Sequence, residues 1–458
     1  MRGSPIIPDV PTGIGGPLRI AVIGSGAAGL AAAWALSQRH EVVLYEAAER
    51  LGGHANTVNL PGPDGPVAVD TGFIVYNEPN YPNLVRLLAH LGVASIPSTM
   101  SFAVSMDRGA YEYSGSAGGL FAQPRNLVSP SHWRLVGDAL RFFRLGRGLL
   151  ASGGARGSLG DFLEAEGFSQ SFRSNHLLPM AAAIWSAPPD EILSFPLATF
   201  LRFFDNHGLL QTGGRPQWRS VAGGSRSYVA AIAASLGPTR LRLSTPVAAV
   251  ETHGLGVSVI DAQGHRDRFD QVVLACHADS ARTLLAEGAT ARERQVLSAF
   301  RYSDNQAFLH GDTALMPRRR RVWSSWNYLA GQQDDRQALC VTYWMNRLQS
   351  LDPRVPLFVT LNPGRAPRSA KVYGAYSYQH PIFDQAALDA QQSLPEIQGR
   401  RGLWFCGSYC GYGFHEDAIQ AGVAVAAALD SPVPWTDQVI ARSPAVECAL
   451  TVAALAAE

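Results

Sequence analysis

Residues 19–46 read RIAVIGSGAAGLAAAWALSQRHEVVLYE, and no other stretch limits the fold so tightly. Positions 20–23 form a short apolar run of the kind that makes a buried parallel strand. The run breaks at Gly24, Ser25, Gly26, Ala27, Ala28 and Gly29; an alanine-rich helix is expected to about Gln38, and a second apolar strand ends at Glu46. Strand, glycine turn, helix and strand at this spacing predict a βαβ unit with a dinucleotide at the helix amino terminus. Gly24 permits the tight turn, Gly26 lets backbone approach a pyrophosphate, and Gly29 lets the helix pack on the strand. Ala28 lies in the first helical turn, whose N–H groups and dipole attract phosphate. Glu46 stands where an acid binds ribose hydroxyls. An accidental glycine turn would not bring strand, helix and acid with it.

At 458 residues the chain exceeds one ordinary core, so a second domain or a large insertion is expected. Hydrophobic residues make up 47% and charged residues 16%, which favours sizeable cores over disorder. A net charge of +1 argues against holding nucleic acid by bulk electrostatics. The five cysteines are odd in number and lack paired zinc-ligand spacing, so neither a disulfide nor a metal framework is expected. A reducing, cytoplasmic setting fits. Residues 1–17 read as a disordered leader, and 433–458 as a carboxyl-terminal tail. The longest apolar run is the fingerprint itself, punctuated by glycine, so no membrane-spanning segment is expected.

The stretch YEAAERLGGHANTVNL follows, with Arg50, Gly52, Gly53, His54 and Thr57. Here the chain resembles the flavin amine oxidase and phytoene desaturase superfamily, whose extended fingerprint is an acid, then R-x-G-G-R, then threonine. His54 replaces that family's arginine. The resemblance implies noncovalent FAD, with Arg50 on a pyrophosphate oxygen, Gly53 beneath the ribityl chain and His54 as a flavin or phosphate contact. It continues through VAVDTGFIVYN, where Gly72 and Phe73 would lay backbone against the flavin ring. LRLSTPVAAVE would set the Val247 main chain at the adenine. GLWFCGSYCGYGFHEDAIQAG is similar to the closing segment, with Gly407, Ser408, Phe414 and His415 at the isoalloxazine. The implied fold is α/β: a FAD-binding Rossmann-like domain of the amine oxidase type (18–91, 215–290 and 399–432) with an inserted α+β substrate domain (92–214 and 291–398).

Phrases such as DTGFIVYNEPNYPNLVRLL and GYGFHEDA are similar to bacterial FAD-dependent oxidoreductases that accompany cyclopropane-fatty-acid-synthase-like methyltransferases. These resemble the flavoprotein desaturase of furan fatty acid synthesis. That resemblance implies a dehydrogenase of a methyl-branched fatty acyl chain in a phospholipid, and a methyltransferase partner. Aromatic residues in alternating stretches, Phe308, Trp323, Trp326, Tyr343, Trp344, Tyr376 and Tyr378, would line a tunnel or fill an ordinary sheet core. On a helix through 131–152, Leu135, Val136, Ala139, Leu140, Phe143 and Leu150 would share one side, with Arg134, Asp138 and Arg141 opposite and Arg144 and Arg147 nearer the flanks. Such a helix, with the run Arg318, Arg319, Arg320 and Arg321, suits either a solvated face or a peripheral membrane contact.

His415 and Glu416 are the candidate catalytic residues. A histidine there would take the proton released as an alkene forms, or merely bond to its loop. Glu416 and Asp417 would also complement the helix dipole. Two departures separate the chain from amine oxidases: FRYSDNQAFLH lacks their flavin-proximal lysine, and Tyr409 replaces a glutamate. The alternatives are a flavin amine oxidase for a small amine and a non-catalytic flavoprotein scaffold for a lipid methyltransferase.

Overall fold

A computed structural model describes residues 16–185, 189–254, 256–331 and 340–436. The expected leader and tail lie almost wholly outside these residues. The chain divides into two compact units, Met1–Gly53 with Val229–Phe300 and Asp389–Glu458, and His54–Tyr228 with Arg301–Leu388.

The first unit is built on a five-stranded parallel sheet in the order Leu241–Arg242, Glu41–Tyr45, Arg19–Ile23, Gln271–Leu274, Leu403–Phe405. Parallel neighbours need crossovers, and the helix Ala27–Leu36 supplies the first. All ten of its residues are buried, which explains a sequence of alanine, leucine and tryptophan without a polar face. The helix His415–Ala428 packs against it where a Cβ on Gly422 would meet the Ala28 carbonyl at 2.3 Å. A three-stranded antiparallel sheet, Val247–His253, Gly256–Asp261 and Arg266–Phe269, completes the unit.

The second unit is organised by a seven-stranded sheet in the order Val372–Ile382, Arg301–His310, Phe358–Leu361, Val341–Trp344, Trp326–Ala330, Phe102–Met106, Tyr111–Ser114. Cross-strand partners share a face, because side chains alternate with period two. The register pairs Ala307 with Tyr376 and Leu361, Tyr343 with Val359 and Trp326, and Trp326 with Phe102. Trp326, Tyr343, Tyr376 and Tyr378 thus line one face. Phe308, Trp344 and Phe358 point the other way, and Trp323 packs edge-on to Trp344 and Phe358 there. The seven expected aromatics divide between two faces because Tyr343 and Trp344 are neighbours on one strand.

The hairpin Thr57–Gly62 with Gly65–Asp70 belongs to this second unit, its Leu60 and Val69 packing with Leu309 and Val359. The expected division near residue 91 therefore differs from the observed one after Gly53. A buried carboxylate ties the hairpin in place. Asp70 accepts hydrogen bonds from Thr57 Oγ1 (2.6 Å), Ser225 N (3.0 Å), Ser225 Oγ (2.7 Å) and Gln349 Nε2 (2.8 Å).

The helix Pro130–Ser152 departs from its expected face. It buries His132, Leu135, Asp138, Phe142 and Gly146, and leaves Leu140 52% exposed. Asp138 turns inward because its carboxylate accepts the Ser169 N–H (2.9 Å) and pairs with Arg141 (3.6 Å). Phe142 sits among Phe162, Phe168, Phe172, Phe200 and Phe204. The arginine run is partly structural too, since Arg319 pairs with the fully buried Glu112 at 2.9 Å. Glu112 also accepts the Arg318 N–H.

Burial holds the Asp70 carboxyl up at about 6, against an ordinary 3.8. A raised carboxyl favours the folded state when protonated, and that contribution is lost as pH climbs from about 4 through about 6. Relative to Asp70→Asn, the natural chain should lose roughly 3 kcal/mol of unfolding free energy across that window. Denaturant titrations at pH 4, 5, 6 and 7 read the difference, and a constant difference would contradict it.

Candidate cofactor and active site

The carboxyl ends of the parallel strands make the floor of the candidate site. Gly24 turns with a φ of 101° and donates its N–H to the Tyr45 carbonyl at 2.9 Å. A Cβ on Gly29 would lie 1.9 Å from the Gly24 carbonyl oxygen, so only glycine lets helix and turn meet. Gly26 is the helix cap, with no side chain to satisfy the first-turn amides of Ala27, Ala28 and Gly29, and open space stands where its Cβ would project. An uncapped helix amino terminus with open space before it is what a pyrophosphate requires.

Glu46 is anchored rather than dangling. Its carboxylate accepts the Ser25 N–H (3.0 Å), the Ser25 hydroxyl and the Ala48 N–H (2.9 Å). No motif demands Ser25, because its position is a variable one in the fingerprint. Gly52 donates to the Ser25 carbonyl at 3.0 Å, and Gly53 lies against Gly26. The double glycine is thus packed on the phosphate loop. Arg50 is exposed and donates to the Gly53 carbonyl at 2.9 Å. Backbone bonds from Ser244 to Ala48 and from Thr245 to Glu46 bring the strand that begins at Val247 to the same edge.

At the closing segment, a Cβ on Gly407 would strike the Tyr409 ring at 2.6 Å, so glycine is needed for the tyrosine to bury. The following turn is held by Gln391, whose amide donates to the carbonyls of Tyr409 (2.9 Å) and Gly411 (2.6 Å). Nothing in the sequence pattern singled out Gln391. Ser408 accepts from the amides of Gly411 and Gly413, which closes the turn before Phe414 caps the helix. Asp417 accepts the Phe414 N–H at 2.9 Å, so this first-turn acid caps the helix in addition to its expected place at the dipole.

His415 and Glu416 are adjacent on the helix and so diverge by about 100°. Glu416 is buried, whereas His415 keeps some accessible surface. Burial holds the imidazole down to about 3, so it is neutral at pH 7. The thiols nearby are neutral as well, because burial pushes Cys276 and Cys410 up to about 12 and Cys406 higher than its ordinary value.

His54, Gly72 and Phe73 form a cluster of their own in the second unit. A Cβ on Gly72 would lie 2.2 Å from the His54 carbonyl oxygen, which also accepts the Phe73 N–H at 2.8 Å. The His54 ring packs on Tyr378 and His380, with centroids 4.8 Å and 5.4 Å away.

The family model for flavin-containing amine oxidoreductases matches residues 27–323, well over half of the chain. This chain belongs to that family. FAD is the cofactor of a flavin-containing amine oxidoreductase, and the open, uncapped loop at Gly26 fits its pyrophosphate. A Mycobacterium tuberculosis protein named as a flavin-containing monoamine oxidase, AofH, is 29% identical over 261 residues, 54% of each chain. The chain thus matches about half the length of that curated relative. Among solved structures, cyclohexylamine oxidase from Brevibacterium oxydans superposes with a TM-score of 0.64 at 17% identity, covering 90% of this chain and all of that one. A fatty acid isomerase from P. acnes that produces CLA gives 0.63 at 16%, covering 88% and 97%. These likenesses establish the flavin amine oxidoreductase fold. No helix among the described residues is long and apolar enough to cross a membrane.

Two glycine variants separate cofactor space from packing. Gly26→Val fills only open space, so the purified protein should lose its yellow colour and bind FAD at least tenfold more weakly, at about 1.4 kcal/mol per decade. The flavin-free chain should unfold at the same temperature as the natural flavin-free chain. Gly29→Ala forces the helix off its strand and should lower that temperature instead. Calorimetry with FAD titration checks both, and retained flavin in Gly26→Val would refute the assignment of the loop.

Proposed function

We propose that this chain is a FAD-dependent dehydrogenase that desaturates a lipophilic substrate, a methyl-branched fatty acyl chain of a phospholipid being the form the sequence resemblance favours. The observation that carries this reading is an uncharged aromatic strip in the second unit. Phe102, Trp326 and Tyr343 stay partly accessible on one sheet face, where Trp326 and Tyr343 touch two packed apolar clusters. Trp326 stands edge-on to Tyr343 at 5.1 Å, a geometry that makes a stiff wall. The buried carboxylates Asp70, Glu112, Asp138 and Asp312 of this unit are each engaged by backbone or side-chain donors, so none of these four is spare for a cation.

Held by the Gly24–Gly29 loop, FAD would supply the acceptor for a hydride from a substrate C–H bond. The chain's own task is to hold that bond in a dry site. An aromatic wall excludes water and grips an acyl chain by apolar contact. The amino terminus of the helix His415–Ala428 supplies N–H groups and dipole wherever negative charge gathers. His415 contributes a neutral imidazole, a hydrogen-bond partner and only a weak base.

A second reading is a flavin amine oxidase for a small amine. Family membership favours it, and so does Glu191, whose Oε2 is buried with no hydrogen-bond partner among the described residues. An amine cation would satisfy that oxygen. The fold does not choose, since its structural neighbours include enzymes named for amines and one named for a fatty acid.

Anaerobic mixing with phospholipids bearing methyl-branched acyl chains should bleach the flavin absorbance. Trp326→Ala should raise the half-saturating lipid concentration about tenfold or more, for roughly 1.5–3 kcal/mol of lost apolar contact. Peroxide release with a polyamine or cyclic amine, abolished in Glu191→Gln, would transfer the assignment to the second reading. Because His415 stays neutral, the bleaching rate should show no inflection from it between pH 5 and 8. An inflection near 6.5 that disappears in His415→Gln would show that the imidazole titrates normally.

A further inference from the structure

We propose that the outward face of the helix Pro130–Ser152, with the turn before it, docks on an anionic lipid bilayer. Six large hydrophobic side chains are exposed among the described residues, and four of them fall within fourteen positions: Leu127 (54%), Val128 (81%), Trp133 (51%) and Leu140 (52%). The tip is rigid. Trp133 donates its indole N–H to the Leu127 carbonyl at 2.8 Å and packs on Phe121 with centroids 5.1 Å apart. Leu140 is outside because Asp138 and Phe142 occupy the buried face, so the helix itself leaves these apolar groups unused.

Charge identifies the occupant. Between residues 113 and 160 the sequence holds six arginines and one acid, a local charge of +5 in a chain whose total is +1. The acid is the buried Asp138, and Arg141 turns inward to Glu166 and the Phe168 ring. The outward side therefore carries Arg134, Arg144 and Arg147 beside Trp133 and Leu140, and no carboxylate lies within ion-pair distance of these three arginines among the described residues. A tryptophan and aliphatic tips flanked by arginines match the boundary between acyl chains and anionic headgroups. A second copy of the chain fits poorly, since a two-fold contact would press like charges together. The surface does not depend on which substrate the flavin oxidises.

The test is cosedimentation of the flavin-loaded full chain with phosphatidylcholine vesicles, with and without about one third phosphatidylglycerol. The protein should pellet with the anionic vesicles and be released by 0.5 M salt, roughly the concentration at which a Debye length falls below 5 Å. Arg144→Gln with Arg147→Gln should weaken binding about 25-fold, at about 1 kcal/mol per arginine. Val128→Ser with Leu140→Ser should weaken it tenfold or more. Both variants alter exposed side chains, so flavin content and unfolding temperature should match the natural chain. Absence of pelleting, equal pelleting with neutral vesicles, or variants that bind undiminished would each overturn the proposal. A dimer in sedimentation velocity that Val128→Ser with Leu140→Ser dissociates, without vesicle binding, would assign the face to a second copy.

Discussion

The carbonyl of Gly24 occupies the space in which residue 29 would otherwise carry a Cβ, and the first unit is ordered around that contact. One face of the helix Ala27–Leu36 is thereby pressed onto the glycine turn and Ala275. Another face meets Gly422 of the helix His415–Ala428, again at a distance that admits no Cβ. Backbone touches backbone on both sides, so the helix cannot slide without a clash. The loop at its amino terminus inherits that rigidity. A phosphate site made of main-chain N–H groups is only as well placed as the helix that presents them, and here the helix is clamped by segments almost 400 residues apart.

Charge is distributed with equal economy. Around the closing segment the imidazole of His415 and the thiols of Cys276, Cys406 and Cys410 are held in their neutral forms by burial. In the second unit the buried carboxylates join elements: Asp70 unites a hairpin, the Ser225 turn and Gln349, and Glu112 receives Arg319 and the Arg318 amide. Ionised groups at such depth persist only when their lone pairs are filled. On the proposed reading the aromatic wall grips an acyl chain by apolar contact, although the faces of Trp326 and Tyr343 would also attract a cation. Glu191 is the exception to that filling of lone pairs, and it is why an amine retains a claim.

Much of the first unit was legible because its signals are local. Gly24, Gly26 and Gly29 act within a few residues of one another, and Glu46 closes the second strand of the same βαβ unit. The hydrogen bonds from Ser25 to Glu46 and from Gln391 to the 409–411 turn were not legible, since neither residue type is demanded by a pattern. In the second unit, strand aromatics were visible as strands. Their division between two faces followed only from register, which a run of residues does not state. The helix Pro130–Ser152 shows the same boundary: apolar spacing favoured Leu140 inside, and one hydrogen-bonded carboxylate at Asp138 rotated the choice.

By itself the sequence determined the parallel dinucleotide-binding core, because steric limits at glycine and the spacing of strand and helix are properties of neighbouring residues. It also determined the near-neutral total charge with a strongly basic segment inside it. Tertiary structure alone decided which titratable groups are neutral, which carboxylates serve as joints, and which aromatic and aliphatic side chains remain uncovered. Those outcomes depend on desolvation and on contacts between segments far apart in the chain, and no local pattern encodes the distance between such segments.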